Sequence, residues 1–152
     1  LMLLLRGDEP SPSARRRFAA PEPRIREARW LAERGVPAAM LDLSDGLAGD
    51  AAHLAAASGV AIVLDPAAIP IHPALAAAGV HGDEAFRLAT AGGEDYELLV
   101  ATDASFDETA ANRFTGACGL RITRVGALHA GSGARLLLDG AEMQLSGYDH
   151  FA

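Results

Sequence analysis

The chain contains no lysine; all thirteen of its basic residues are arginine. A phosphate-binding loop of the GxxxxGK[ST] type is therefore excluded. Cys118 is the single cysteine, which rules out an intramolecular disulfide and a cysteine-ligated metal cluster, and fits a reducing cytoplasm. Aromatic residues make up only 5% of the chain, so a core must be built mainly from Ala, Leu, Val and Ile. Long hydrophobic runs are missing too. The opening LMLLL is too short for a membrane span, and no basic segment precedes it as in a secretory signal. Among the histidines, His53 falls on the polar side of a helical pattern. His72, His81 and His129 are scattered, without a metal-ligand spacing such as HxxxH. No Ser-His-Asp order is supported.

What is present bounds the class. A chain of 152 residues, half of them hydrophobic, suits one domain with a full core. The net charge of −7 is unevenly spread. Residues 1–34 hold eight Arg and five acids (+3), and residues 35–152 hold five Arg and fifteen acids (−10). So acidic a bulk argues against nucleic acid as a partner and suits a protein that collects divalent cations, although ordinary solubility charge accounts for most such imbalances. The run Arg15-Arg16-Arg17 reads as a solvated linker face more than as a phosphate contact.

Residues 7–23, rich in Pro and charge, read as a linker, and residues 1–5 as the tail of a helix from a preceding domain. Ile25, Ala28, Leu31 and Ala32 share one face of a helix over 24–34, stopped by Gly35 and Pro37. A short strand is expected near 38–42. A helix follows near 45–58, with Leu47, Ala51, Leu54, Ala55 and Ser58 as its buried stripe and Gly59 at its end. Val60–Leu64 reads as a strand, Ala74–Ala78 as a turn or two of helix, and 83–90 as a helix. Tyr96–Ala101 reads as a strand. Asp103–Thr115 reads as a helix capped by Thr102 or Asp103. Strands at 121–128 and 134–138, a turn at Asp139-Gly140 and a strand near 141–145 would close the chain as a β-meander. The class expected is α/β or α+β, with a mixed or largely antiparallel sheet and helices packed on one face.

Chemistry concentrates in LDLSDGLAGD, residues 41–50. The strand ends near Asp42 and the helix starts near Ser44 or Asp45, so two carboxylates and a hydroxyl meet at a helix N-terminus. That terminus favours an anion, and carboxylates there repel a phosphate unless a cation lies between them. The combination points to Mg²⁺ and a nucleotide phosphate. Simple capping explains Ser44 and Asp45 equally well, but it does not explain Asp42, an acid after four apolar residues. AGGEDYEL, residues 91–98, is the second group. Its glycines permit close backbone approach, with Glu94 and Asp95 at the opening edge of a strand, and a glycine turn with solvated acids is an equal reading. The tail GYDHFA is the third. Tyr148 could lie against a planar ligand, but residue chemistry alone favours a hydrophobic latch.

In that order, LDLSDGLAGD, HLAAASGVAIVLD, GGEDYELL and terminal GYDHFA, the chain resembles the C-terminal domain of the thiamine-monophosphate kinases, from its first residues to its last. Aminoimidazole-ribotide synthetase, selenophosphate synthetase and hydrogenase-maturation enzymes share that architecture, but not GGEDYEL with a YDHF tail. The resemblance implies an aminoimidazole-ribotide synthetase-like C-terminal domain over 24–152. It also implies transfer of the γ-phosphoryl group of ATP to thiamine phosphate with Mg²⁺, and a cytoplasmic homodimer for the full-length family enzyme. By the same likeness Asp42 and Asp45 are expected as Mg²⁺ ligands and Ser44 as an ATP contact. Glu94 and Tyr148 are expected as substrate contacts. No residue is expected to act as a general base, because the attacking phosphate oxygen is already anionic. The family's N-terminal domain, with further Mg²⁺-binding acids and much of the nucleotide site, has no counterpart here, so the chain alone is expected to be incomplete as an enzyme. A non-catalytic binding module for thiamine phosphates or nucleotides, and another ATP-dependent enzyme of the superfamily, are the alternatives.

Overall fold

The computed structural model describes Leu4, residues 7–138 and residues 141–144, the last stretches (136–138 and 141–144) by backbone alone. The elements run α1 (Pro12–Ala19), α2 (Ile25–Ala32), β1 (Pro37–Asp42), α3 (Leu47–Ser58), β2 (Val60–Leu64), a 3-10 turn (Pro66–Ala68), α4 (Pro73–Ala77), α5 (Gly82–Ala91), β3 (Leu98–Thr102), α6 (Glu108–Cys118), β4 (Gly126–Ala130), β5 (Gly133–Leu138) and β6 (Ala141–Gln144).

The described strands form two sheets. β1 and β3 make an antiparallel ribbon whose register runs from Pro37 opposite Thr102 to Asp42 opposite Leu98. The other four strands lie in the order β4-β2-β5-β6. β2 pairs antiparallel with β4 and parallel with β5, and β5 pairs antiparallel with β6. The sheet is mixed and the class is α/β, as expected. The closing meander is not formed as expected, because β2 inserts between β4 and β5. β2 (VAIVL) is apolar at every position, so it gains most from neighbours on both edges and from the centre of the sheet.

α3 packs against both sheets and joins them into one core. Leu47, Ala51, Leu54 and Ala55 from α3 meet Ile62 and Leu64 of β2 and Leu99 and Ala101 of β3. Ser58, expected in that stripe, is exposed in the last turn. A second cluster joins Leu31 of α2 to Phe114 and Cys118 of α6, with Trp30 edge-on to Phe114 at 5.5 Å between ring centroids.

Three further expectations need correction. Residues 12–19 are not linker but helix α1, started by Pro12 after Ser11, whose Oγ accepts the N–H of Ala14 at 3.3 Å. α6 starts at Glu108 under Asp107, which accepts the N–H of Ala110 at 2.9 Å. Asp103 instead folds back on Ser105 in a local turn. The strand expected at 121–128 is shifted to β4, because it forms only where β2 offers an edge. Among the described residues no helix is long and apolar enough to cross a membrane.

Candidate functional site

The two motif loops fold against one another. The β1–β3 ladder continues past Asp42 into the loops, where Leu43 N–H donates to the Glu97 carbonyl at 2.8 Å and Tyr96 N–H to the Leu43 carbonyl at 2.9 Å. Glu94 N–H donates to the Ser44 carbonyl at 2.8 Å. Such closeness requires missing side chains. A Cβ on Gly46 would lie 2.8 Å from the Gly92 carbonyl oxygen, and one on Gly93 would lie 2.6 Å from that of Ser44. Gly46 has φ 88° and ψ 158°, a conformation essentially reserved for glycine. Glu94 and Tyr96 have φ of 67° and 51°, rare for residues with side chains, and are held there by these bonds.

The glycine also moves the helix start. α3 begins at Leu47 with Gly46 at its N-cap, two residues beyond the start expected near Ser44 or Asp45, so the alternative reading of these two residues as caps does not hold. They form a turn before the helix. Ser44 Oγ lies 3.4 Å from Asp45 Oδ1, and Asp45 Oδ2 lies 3.7 Å from Nε2 of His53 in the second turn of α3. Both Ser44 and Asp45 are half-buried.

Asp42 is exposed at the end of β1 and opens on a different feature. With Tyr96, Leu98, Pro23, Arg24, Ile25 and Ala28 it lines a cavity of about 240 Å³. The strand expected from Tyr96 starts two residues later, at Leu98, since the positive φ of Tyr96 is incompatible with an extended chain. Tyr96 remains in the loop as part of the cavity lining. Glu94 and Asp95 are solvent-exposed acids on a glycine turn.

Two sets of residues escaped sequence reasoning. Arg24, whose side chain is 8% exposed, grips Glu97 with both arms, Nε to Oε2 at 2.9 Å and a terminal nitrogen to Oε1 at 2.8 Å. Arg17 of α1 also pairs with Glu97. The hydrogen bond that Arg24 donates to Glu97, followed by the charge of Glu97, raises the pKa of Arg24 despite burial. These bonds tie the segment before β1 to the GGEDYE loop. No local spacing signals them, because the partners lie far apart in the chain.

Asp50 is the second omission. It is 3% exposed, and its Oδ2 accepts the N–H of Asp45 at 3.0 Å. Burial pushes its carboxyl above the ordinary aspartate range, and the charge of Asp45 adds to this. The backbone N–H groups of Asp45 and Ser44 oppose it, as does His53. A signal was available: Asp50 falls on the apolar face that also carries Leu47, Ala51 and Leu54.

Among the described residues, no three acidic, histidine or cysteine side chains converge as a ready-made metal cage. The donor set nevertheless fits Mg²⁺, which is held by one or two carboxylates with waters and phosphate oxygens completing its shell. Tyr148 and the GYDHFA tail lie outside the described residues. A larger cavity of about 390 Å³, away from the motifs, is lined by Trp30, Arg34, Val36, Phe106, Ala110 and Arg113 among others.

Comparison with known proteins agrees with the motifs. The family model for AIR synthase related protein, C-terminal domain, matches residues 2–139. The thiamine-monophosphate kinase of Escherichia coli (strain K12) is 36% identical over 140 residues, which cover 90% of this chain and 42% of that protein. The crystal structure of thiamine-monophosphate kinase from Stenotrophomonas maltophilia K279a superposes with a TM-score of 0.80 at 31% identity, over 89% of this chain and 44% of that one. The structure of AaThiL complexed with AMPPCP and TMP superposes at 0.76 with 28% identity, over 99% of this chain and 46% of that one. The chain thus spans less than half the length of these relatives.

Proposed function

The chain belongs to the AIR synthase related protein family through its C-terminal domain, and we propose on that premise that it is the C-terminal part of a kinase that transfers the γ-phosphoryl group of ATP to thiamine phosphate, giving thiamine diphosphate. The observation that carries the reading is the interlock of the SDG and GGED loops by Gly46 and Gly93. On this reading it would bring a metal–nucleotide end beside an acceptor end. AMPPCP and TMP, the ligands of the AaThiL complex, are a nucleotide analogue and a monophosphate, the two kinds of ligand such a site would take.

Asp42 and Asp45 would hold Mg²⁺, and Ser44 would contact the nucleotide. Glu94 and Tyr148 would contact the acceptor. Bound Mg²⁺ supplies charge neutralisation between two anions and a template for in-line transfer. The residues of the chain orient. Asp45 is kept in place through its backbone, and Glu94 is held by the Ser44 carbonyl. The attacking phosphate oxygen needs no general base, and the exposed His53 beside Asp45 is not required as one. Residues 1–23, helix α1 included, belong on this reading to the end of a preceding domain, and residues 24–152 to the binding domain. A cytoplasmic homodimer is the assembly for the complete enzyme.

The test is thiamine diphosphate formation from thiamine phosphate and Mg-ATP, with calorimetry of both ligands on the chain itself. The expected result is binding of Mg-ATP by the chain, and turnover only when the N-terminal half of a thiamine-monophosphate kinase is supplied. In the complete enzyme Asp42→Asn is expected to reduce kcat by a hundredfold or more, a loss on the order of that from a charge-stabilising contact, with thermal stability nearly unchanged. Normal turnover in that variant overturns the metal assignment. Ligand binding without turnover, even with the N-terminal half present, assigns the chain as a binding module.

A further inference from the structure

Asp50 lies below the surface at the start of α3, has no place in the metal, nucleotide or acceptor contacts above, and yet reaches the loop that holds them. The peptide it grips is the one between Ser44 and Asp45. That peptide's N–H donates to Asp50 Oδ2 at 3.0 Å, and its C=O accepts the N–H of Glu94 at 2.8 Å. A trans peptide is rigid and planar, so fixing its N–H fixes the direction of its C=O. Hydrogen bonds at the two ends of one peptide also polarise it, and a carboxylate on the N–H strengthens the C=O as an acceptor. Glu94 sits at φ 67°, a conformation it keeps only while bonds hold it there.

We propose that Asp50 is a positioning residue that sets both ends of the site through the peptide Ser44–Asp45, orienting the Asp45 carboxylate on one side and the Glu94 backbone on the other. The inference rests on the function proposed above for the identity of those two ends. It goes beyond that reading by linking them.

The geometry argues against a purely local capping role. A capping carboxylate in the first turn satisfies N–H groups of its own helix start. The carboxylate of Asp50 accepts an N–H outside the helix, before the Gly46 cap, while the N–H of Asp50 itself donates to the Gly46 carbonyl at 3.0 Å. Gly46 and Gly93 press the two loops together with no side chain between them, so a displaced Ser44 carbonyl has no slack to absorb the shift.

Amide hydrogen exchange on the 152-residue chain tests the linkage without reference to activity. In Asp50→Ala, the amides of Asp45 and Glu94 are both expected to exchange about tenfold faster or more, as when a protecting bond is lost. The amide of Ala101, in β3, should keep its protection. Asp50→Asn retains an oxygen that can accept the Asp45 N–H, and is expected to bring Glu94 back to within about threefold of the parent chain. Should Asp50→Ala fail to fold, Asp50→Ser replaces it, with a hydroxyl too short to reach that N–H. Faster exchange at Asp45 with Glu94 unchanged reduces Asp50 to a local cap and overturns the proposal.

Calorimetry adds the ligand arm. Affinities for Mg-ATP and for thiamine phosphate are expected to fall together in Asp50→Ala, each by about tenfold, and to recover in Asp50→Asn. A fall in one alone overturns the linkage of the two ends. If the parent chain binds neither ligand, the functional reading fails, and the exchange experiment still decides whether Asp50 controls Glu94.

Discussion

The β1–β3 ribbon has two ends, built on opposite principles. At the Asp42–Leu98 end the chain leaves the ladder into loops packed backbone against backbone, with glycine wherever a side chain would intrude. At the Pro37–Thr102 end it leaves into side-chain packing, where Trp30 stands edge-on to Phe114 and the Arg34 guanidinium lies 4.1 Å from the centre of the Trp30 ring. The first end places polar groups in fixed directions. The second buries the large rings and places no acid in its cavity lining. One ladder thus separates the loops proposed as the ligand site from a part that holds α2 and α6 to the domain. Precision at the first end comes from the absence of side chains, and stability at the second from their size.

That contrast can be broken at either end. The largest effect is expected from Phe114→Ala, which empties the second cluster and should cost about 3–5 kcal/mol in urea unfolding, while Mg-ATP affinity stays within about threefold of the parent chain. A much larger loss of affinity in the folded variant would show that the two ends are not independent. Gly46→Ala comes next. It forces a Cβ against the Gly92 carbonyl at a φ of 88°, and the expected cost is about 1–3 kcal/mol. Here ligand affinity should fall with the loop geometry, in contrast to Phe114→Ala. Equal affinity in both variants would remove the distinction between the ends.

The smallest effect is electrostatic and lies just beyond the far end of β3. Hydrogen bonds from the Ser105 hydroxyl and then from its backbone N–H hold the Asp103 carboxyl below the ordinary aspartate range. A carboxyl with a depressed folded pKa stabilises the fold above its unfolded value near 3.8, and that contribution is lost as pH falls through the folded value. Ser105→Ala should raise the Asp103 pKa toward the ordinary range in a carbon-13 NMR titration, without affecting Mg-ATP binding. An unchanged pKa would assign the shift to the backbone N–H alone.

The helices at 25–32, 47–58 and 82–91 were legible because each carries its own apolar period and its own stop signal. The place of β2 was not, since partners are chosen in competition among strands distant in sequence, and β5 won the edge that a meander would have left open. Helix α1 was hidden by its prolines, and only the Ser11 cap and the position of Pro12 betray it. In the site, Asp42, Ser44, Asp45 and Glu94 stood out because acids and glycines at the ends of apolar runs are locally unusual. Arg24 and Glu97 did not, because nothing in either neighbourhood refers to the other.

By itself the sequence determined the class of the domain, the two motif loops and the family to which they point, since all of these are written in local pattern and residue type. Tertiary structure alone decided that the SDG and GGED loops share a ladder, that Asp42 faces the Tyr96 cavity, and that Asp50 holds the Ser44–Asp45 peptide. Those facts concern direction and distance across the chain. They are set by which backbones can approach, and that depends on every element packed behind them.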